Sequence, residues 1–200
     1  MTPTIEEILK FWFGEADPTP DERAATARRW FVRDAAFDDA IRTRFGALVE
    51  RAIDGELGPE WSATPRARLA QILLVDQFTR NVHRGSARAF AGDAHAQRLA
   101  LELVDSGDDR ALAPIERVFA YLPLEHAEDA ALQERSVALF EALAAQAPAA
   151  ERASFDNYAD YARRHRDVIA RFGRFPHRNA ALGRVNGADE QAWLDAGGGF

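Results

Sequence analysis

The chain has no cysteine, one methionine and a single lysine, Lys10, among 25 basic residues. Without cysteine there are no disulfides, no thiolate nucleophile and no zinc site built on sulfur, so a metal would need histidine and carboxylate ligands. No metal and no cofactor is expected. No run of about 18 uninterrupted apolar residues occurs, and MTPTIEEILKFWFG lacks a basic segment followed by a long apolar one, so a soluble, cytoplasmic protein is expected. Period-2 alternation flanked by hairpin turns is missing, which argues against strands. Also missing are a GxSxG elbow, a P-loop, HExxH, and a GxGxxG opening a helix after a strand, so no nucleophile or reaction is named. Negative charge is in excess overall: the formal net charge is −7 and the pI about 5.3, which weighs against nucleic acid and anionic membranes as partners.

What is present is helix punctuation. Thr4 with Glu7 forms a capping box ahead of Ile5, Ile8, Leu9 and Trp12, and Gly14 can end that helix. Thr19, Pro20 and Glu22 start a second, and Asp34 opens a longer one through Phe37, Ile41, Phe45, Leu48, Val49 and Ile53. Thr64 and Pro65 precede RARLAQILLVDQFTRN, whose stripe is Leu69, Ile72, Leu73, Asp76 and Arg80. Further helices are expected over 92–106, from Pro114 to a stop at Pro123, over 125–146, 149–172 and 188–196. The expectation is an all-α chain of about eight or nine helices in antiparallel hairpins, packed as a bundle or an α-solenoid, with no clean repeat near ~34 residues. One domain is expected over residues 1–196, with a flexible tail at 197–200.

Against the acidic background, RRHRDVIARFGRFPHRNAALGR (163–184) carries seven arginines and one aspartate. Its first half, to Phe172, reads as the end of a long helix, with His165 turned inward among Tyr158, Tyr161, Val168, Ile169 and Phe172, and Arg163 able to pair with Asp167. The second half mixes Phe175 and Leu182, which favour burial, with Arg174, His177, Arg178, Asn179 and Arg184, which need partners. Those partners are either the protein's own acids, notably Asp76, Glu125, Glu128 and Asp129, or an external anion.

Two further clusters place polar groups in apolar surroundings. Asp76 shares a stripe with leucines, so its carboxylate needs a cation, and Arg80 four residues on is the nearest; Gln77, Asn81 and Arg84 extend the group. YLPLEHAED puts Glu125, His126, Glu128 and Asp129 at an expected helix start, where acids complement the helix dipole.

These segments carry a resemblance. FWFG, LLVDQFTRNVHRGSARAF, YLPLEHAED and HRDVIARFGRFPHRNAALGR resemble the family catalogued as domain of unknown function 924, over about Ile5 to Leu194. Thr79 stands where the family's common form has proline, which implies a slightly longer helix here. The resemblance implies a tetratricopeptide-like right-handed superhelix and supplies no activity. It marks Asp76, Arg80, Asn81, Glu125, His126, His165, Arg174, His177, Arg178, Asn179 and Arg184 as candidate ligand-binding residues. Three readings of them follow. The first is a binding protein holding a peptide, protein or small anionic molecule near the Arg-rich loop. The second is a hydrolase or transferase using His177 or His126 as acid or base, oriented by Glu125 or Asp76, with Arg178 on the anion. The third is a purely structural lock.

Overall fold

The structure, a computed structural model, describes residues 3–15 and 19–200. Residues 1, 2 and 16–18, which the single-domain expectation includes, lie outside the described residues. Among the described residues there are nine α-helices and no strand, counting Pro65–Val82 as one helix interrupted by a π-helical segment.

Capping chemistry sets the helix starts. Thr4 Oγ1 accepts the Glu7 N–H at 3.2 Å and Glu7 accepts the Thr4 N–H at 2.7 Å, opening α1 (Ile5–Phe13), which buries Ile8, Leu9 and Trp12. Thr19 and Glu22 repeat the device for α2 (Pro20–Phe31). Asp34 accepts the Ala36 and Phe37 N–H groups to start α3 (Ala35–Ile53). Thr64 caps α4 through the Ala67 N–H.

Helix α4 runs over Pro65–Ile72, passes through the π-helical segment Leu73–Phe78 and finishes as Thr79–Val82. Thr79 donates both its N–H and, at 2.7 Å, its hydroxyl to the Leu74 carbonyl five residues back. A proline there would have no N–H to give. Gly92 precedes α5 (Asp93–Ser106), and a β-carbon on it would collide with the Val75 carbonyl of the π segment. Only glycine lets the two backbones approach so closely.

The chain divides into two compact units, one holding the residues up to Arg84 with Arg88–Leu112, the other Gly85–Ala87 with Ala113–Phe200. The first unit is centred on aromatic packing: the Phe45 ring lies 5.0 Å from Phe11 and 5.1 Å from Phe78, and Trp12 lies 5.4 Å from Phe78.

The second unit contains α6 (Pro114–Glu125), α7 (Ala130–Gln146), α8 (Arg152–Phe172), the short turn Pro176–Arg178 and α9 (Ala188–Asp195), with α7 packed against both α6 and α8. Two boundaries differ from expectation. Pro123 does not stop α6 but sits inside its last turn, and the helix continues to Glu125 despite the missing N–H. Glu125 therefore ends α6 instead of opening the next helix, which starts at Ala130 under an Asp129 cap. The core of this unit includes Tyr121 edge-on to Phe140 at 5.9 Å, and a second cluster of Val168, Ile169 and Phe175 joined by Phe172 and Trp193. No helix among the described residues is long and apolar enough to cross a membrane.

Candidate functional site

In the first unit the motif residues form a buried ion network. Asp76, fully buried, lies 3.0 Å from Arg80, as the i,i+4 spacing predicts, and accepts from Gln77 at 2.6 Å. Arg80 also reaches Asp93 at 3.0 Å and donates to the Asp76 carbonyl at 2.7 Å. Burial alone would lower the Arg80 pKa, but Asp76 and Asp93 outweigh it and raise it. Asn81 and Arg84 turn to a different acid, Asp38 on α3: Asn81 donates at 2.7 Å, and Arg84 grips the carboxylate with Nε and Nη2 at 2.7 and 2.8 Å. Burial pushes the Asp38 pKa up, yet the Arg84 and Asn81 hydrogen bonds hold it below the usual carboxylate range.

In the second unit the loop arginines point to internal acids. Arg174 donates to both oxygens of Glu190, at 2.6 and 2.8 Å. That pair, with the Gly187 N–H, brings the Glu190 pKa down to about 2. Arg184 grips Glu128, which also accepts the Phe175 N–H. Asn179 is buried and donates to Asn186 at 2.8 Å. Arg178, also buried, lies over the Phe175 ring at 4.5 Å.

The three histidines of the motifs converge on this loop. His165 faces inward as expected: its Nδ1 lies 2.9 Å from the Tyr161 carbonyl and 3.1 Å from the Glu125 carboxylate. A carbonyl only accepts, so Nδ1 carries the proton and Nε2 is bare in the neutral ring. Burial, reinforced by His126, His177 and Arg178, lowers the His165 pKa to about 3. The His126 ring is 6.2 Å away, and Phe175 packs edge-on to His165 at 5.6 Å and against His177 at 5.5 Å. The Phe200 ring stacks on His165 at 3.5 Å, with 14° between planes. Among the described residues no three His, Asp or Glu side chains converge as metal ligands.

Beside this cluster lies a cleft of about 300 Å³, lined by Arg164, Asp167, Val168, Arg171 and Phe172 of α8, by Trp193 of α9, and by Gly197–Phe200. The expected Arg163 to Asp167 pair does not form: Arg163 bonds Glu141 at 2.8 Å across the hairpin, and Asp167 takes Arg166 at 2.7 Å. Arg164 and Arg171 make no ion pair among the described residues. Each lies over an aromatic ring instead, Arg164 at 4.7 Å from Tyr161 and Arg171 at 4.6 Å from Phe172.

Residues 8–198 match the family described as bacterial protein of unknown function, DUF924. The chain belongs to that family. It is similar to a solved structure described as a protein of unknown function, ATU0120, from Agrobacterium tumefaciens, with 36% identity, a TM-score of 0.80, and coverage of 96% of this chain and 97% of that one. None of the curated proteins compared with the chain matches it.

In this DUF924 chain the motif residues therefore fall into two sets, Asp76, Arg80 and Asn81 in the first unit, and Glu125, His126, His165, Arg174, His177, Arg178, Asn179 and Arg184 in the second. Sequence reasoning missed Asp38, Asp93 and Glu190 as partners and Trp193 as a cleft wall. Asp38 had one signal: it follows Phe37 in the first turn of α3, next to the buried stripe.

Proposed function

We propose that this DUF924 protein is a binding protein whose cleft between the end of α8 and the Gly197–Phe200 segment holds a small anionic ligand. The observation that carries the reading is the pair Arg164 and Arg171, two guanidinium groups without a carboxylate partner among the described residues, on the wall of a concavity that also presents Phe172, Trp193 and Phe200. Guanidinium groups recognise carboxylate or phosphate through planar paired donors, and rings beside them accommodate an apolar body. A volume of about 300 Å³ suits a small molecule better than several residues of peptide. The consecutive packing of α6, α7 and α8 supports a tetratricopeptide-like hairpin arrangement in this unit, with the ligand at one end of its last long helix. The acid–base reading has less support from the inward-facing pair, because Glu125 reaches His165, whose pKa lies at about 3 and which is covered by Phe200.

Titration of ¹⁵N-labelled protein with sodium acetate and sodium phosphate tests the reading. Resonance shifts are expected at Gly197–Gly199 and the Trp193 indole, with roughly tenfold weaker binding when Arg164 and Arg171 are both changed to Ala. Equal binding by that variant, or no binding by the wild type, would overturn it.

A further inference from the structure

Phe200 occupies a place built for a flat ring. One face of its ring lies on His165 at 3.5 Å, Phe175 meets it at 90° and 6.2 Å, His177 at 80° and 5.7 Å, and the Arg164 guanidinium stands 5.7 Å from its centroid. A planar floor, two edge walls and a guanidinium over the ring form an aromatic slot, an arrangement in which rings gain beyond simple burial. His165 is itself held in position by Tyr161 and Glu125, so the floor exists independently of what lies on it.

The occupant, by contrast, is weakly tethered. Phe200 is 46% exposed, although its ring stacks so closely. The three residues before it are glycines, with positive φ at Gly197 (83°) and Gly199 (147°); the Gly197 and Gly198 N–H groups bond to Leu194 and Trp193, so the freedom lies at Gly199. Phe200 also lines the neighbouring cleft. Turning the Phe200 ring out about Gly199, with Gly197 and Gly198 left in place, would open the slot into that cleft and leave Arg164 beside both.

We infer that the slot formed by His165, Phe175 and His177 is the specificity pocket for an aryl-substituted carboxylic acid, and that Phe200 is its built-in competitor, displaced when the ligand's ring enters. This inference rests on the anion-binding reading above and adds to it the identity of the apolar half of the ligand. The ring takes the place of the Phe200 ring on His165, and the carboxylate meets Arg164 and Arg171.

Phenylacetate and acetate are the probes, titrated into wild-type protein and Phe200→Ala. Phe200 is half-exposed, so its truncation leaves the core intact. Phenylacetate should bind roughly tenfold more tightly than acetate, the difference coming from ring stacking and burial. Phe200→Ala should tighten phenylacetate by a further factor of roughly three, more than any change it makes in acetate binding. If acetate binds and phenylacetate binds no better, the aromatic slot is wrong while the anion site stands. If phenylacetate is preferred but Phe200→Ala leaves its affinity unchanged or weakens it, Phe200 is a wall and not a competitor, and the displacement is wrong. If neither anion binds, the anion site itself fails and the inference with it.

Discussion

Arg184 holds Glu128 with both ends of its guanidinium, at 2.6 and 2.9 Å, while the same carboxylate accepts the Phe175 N–H at 2.8 Å. Glu128, in the α6–α7 connection one residue before the Asp129 cap, thus ties down both ends of the loop that carries His177 and Arg178. Arg184→Ala should lower stability by about 2 kcal/mol, the scale of hydrogen bonds to a charged group. Glu128→Gln should cost less, because the amide oxygen still accepts from Phe175. Urea unfolding at pH 7 measures both, and the opposite order would refute the assignment.

Arg80 serves two carboxylates, Asp76 and Asp93, so the pair is asymmetric. Arg80→Met removes the cation both acids share and should destabilise by about 3 kcal/mol or more. Asp76→Asn leaves Arg80 its contact with Asp93 and should cost clearly less. Comparison of the two variants by urea denaturation checks the ranking.

His165 makes stability depend on pH in a defined direction. Its folded pKa, about 3, lies below the usual value of 6.5, so the unfolded chain binds more protons between those limits. The stabilisation is complete above pH 6.5 and is lost as pH falls towards 3. Between pH 7 and 5 the loss from this group is about 2 kcal/mol, at 1.36 kcal/mol per unit. His165→Gln, which keeps a donor for the Tyr161 carbonyl, should lose that much less over the same interval. His126, His177, Glu125 and Arg178 remain in both proteins and cancel to first order. Glu190, with its pKa lowered to about 2, acts in another window: its contribution is complete above about pH 4.5 and disappears as pH approaches 2. A pH 7 to 5 slope unchanged by His165→Gln would exclude His165 as its source.

Gly92→Ala should destabilise by about 3 kcal/mol, because the added methyl meets backbone, the Val75 carbonyl, and not a side chain that can swing aside. A melting temperature equal to wild type would show that α5 can move away from the π segment without loss.

The legible parts of the fold are those encoded within four residues. Thr4 with Glu7, Thr19 with Glu22, Asp34 and Thr64 mark helix starts where the structure has them, since a cap bonds to its own first turn. Pro123 misled because a proline removes one ladder bond and crowds the carbonyl four residues back without always ending a helix, and that error displaced Glu125 from the end of one helix to the start of another. The Asp76 to Arg80 pair was readable from i,i+4 spacing, and His165 from its apolar neighbours. The partners of Arg84 and Arg174 were not, because Asp38 and Glu190 lie 46 and 16 residues away in sequence. For the same reason no local pattern separates Arg174 and Arg184, which are ion-paired, from Arg164 and Arg171, which make no ion pair among the described residues.

The π segment carries a consequence for how this helix tolerates change in length. A π turn holds one residue more than an α turn, so it absorbs a single insertion and rotates everything after it by about 100° relative to an uninterrupted helix. Here that rotation sets the facing of Arg80, Asn81 and Arg84 relative to the Leu69 and Ile72 stripe, and so delivers them to Asp93 and Asp38. Closing the π turn to an α turn with no residue removed would swing those three side chains off their acids, whereas excising one residue from Leu73–Phe78 would restore an ordinary helix and leave their facing unchanged. In this stretch a regular helix of the same length would be the poorer protein.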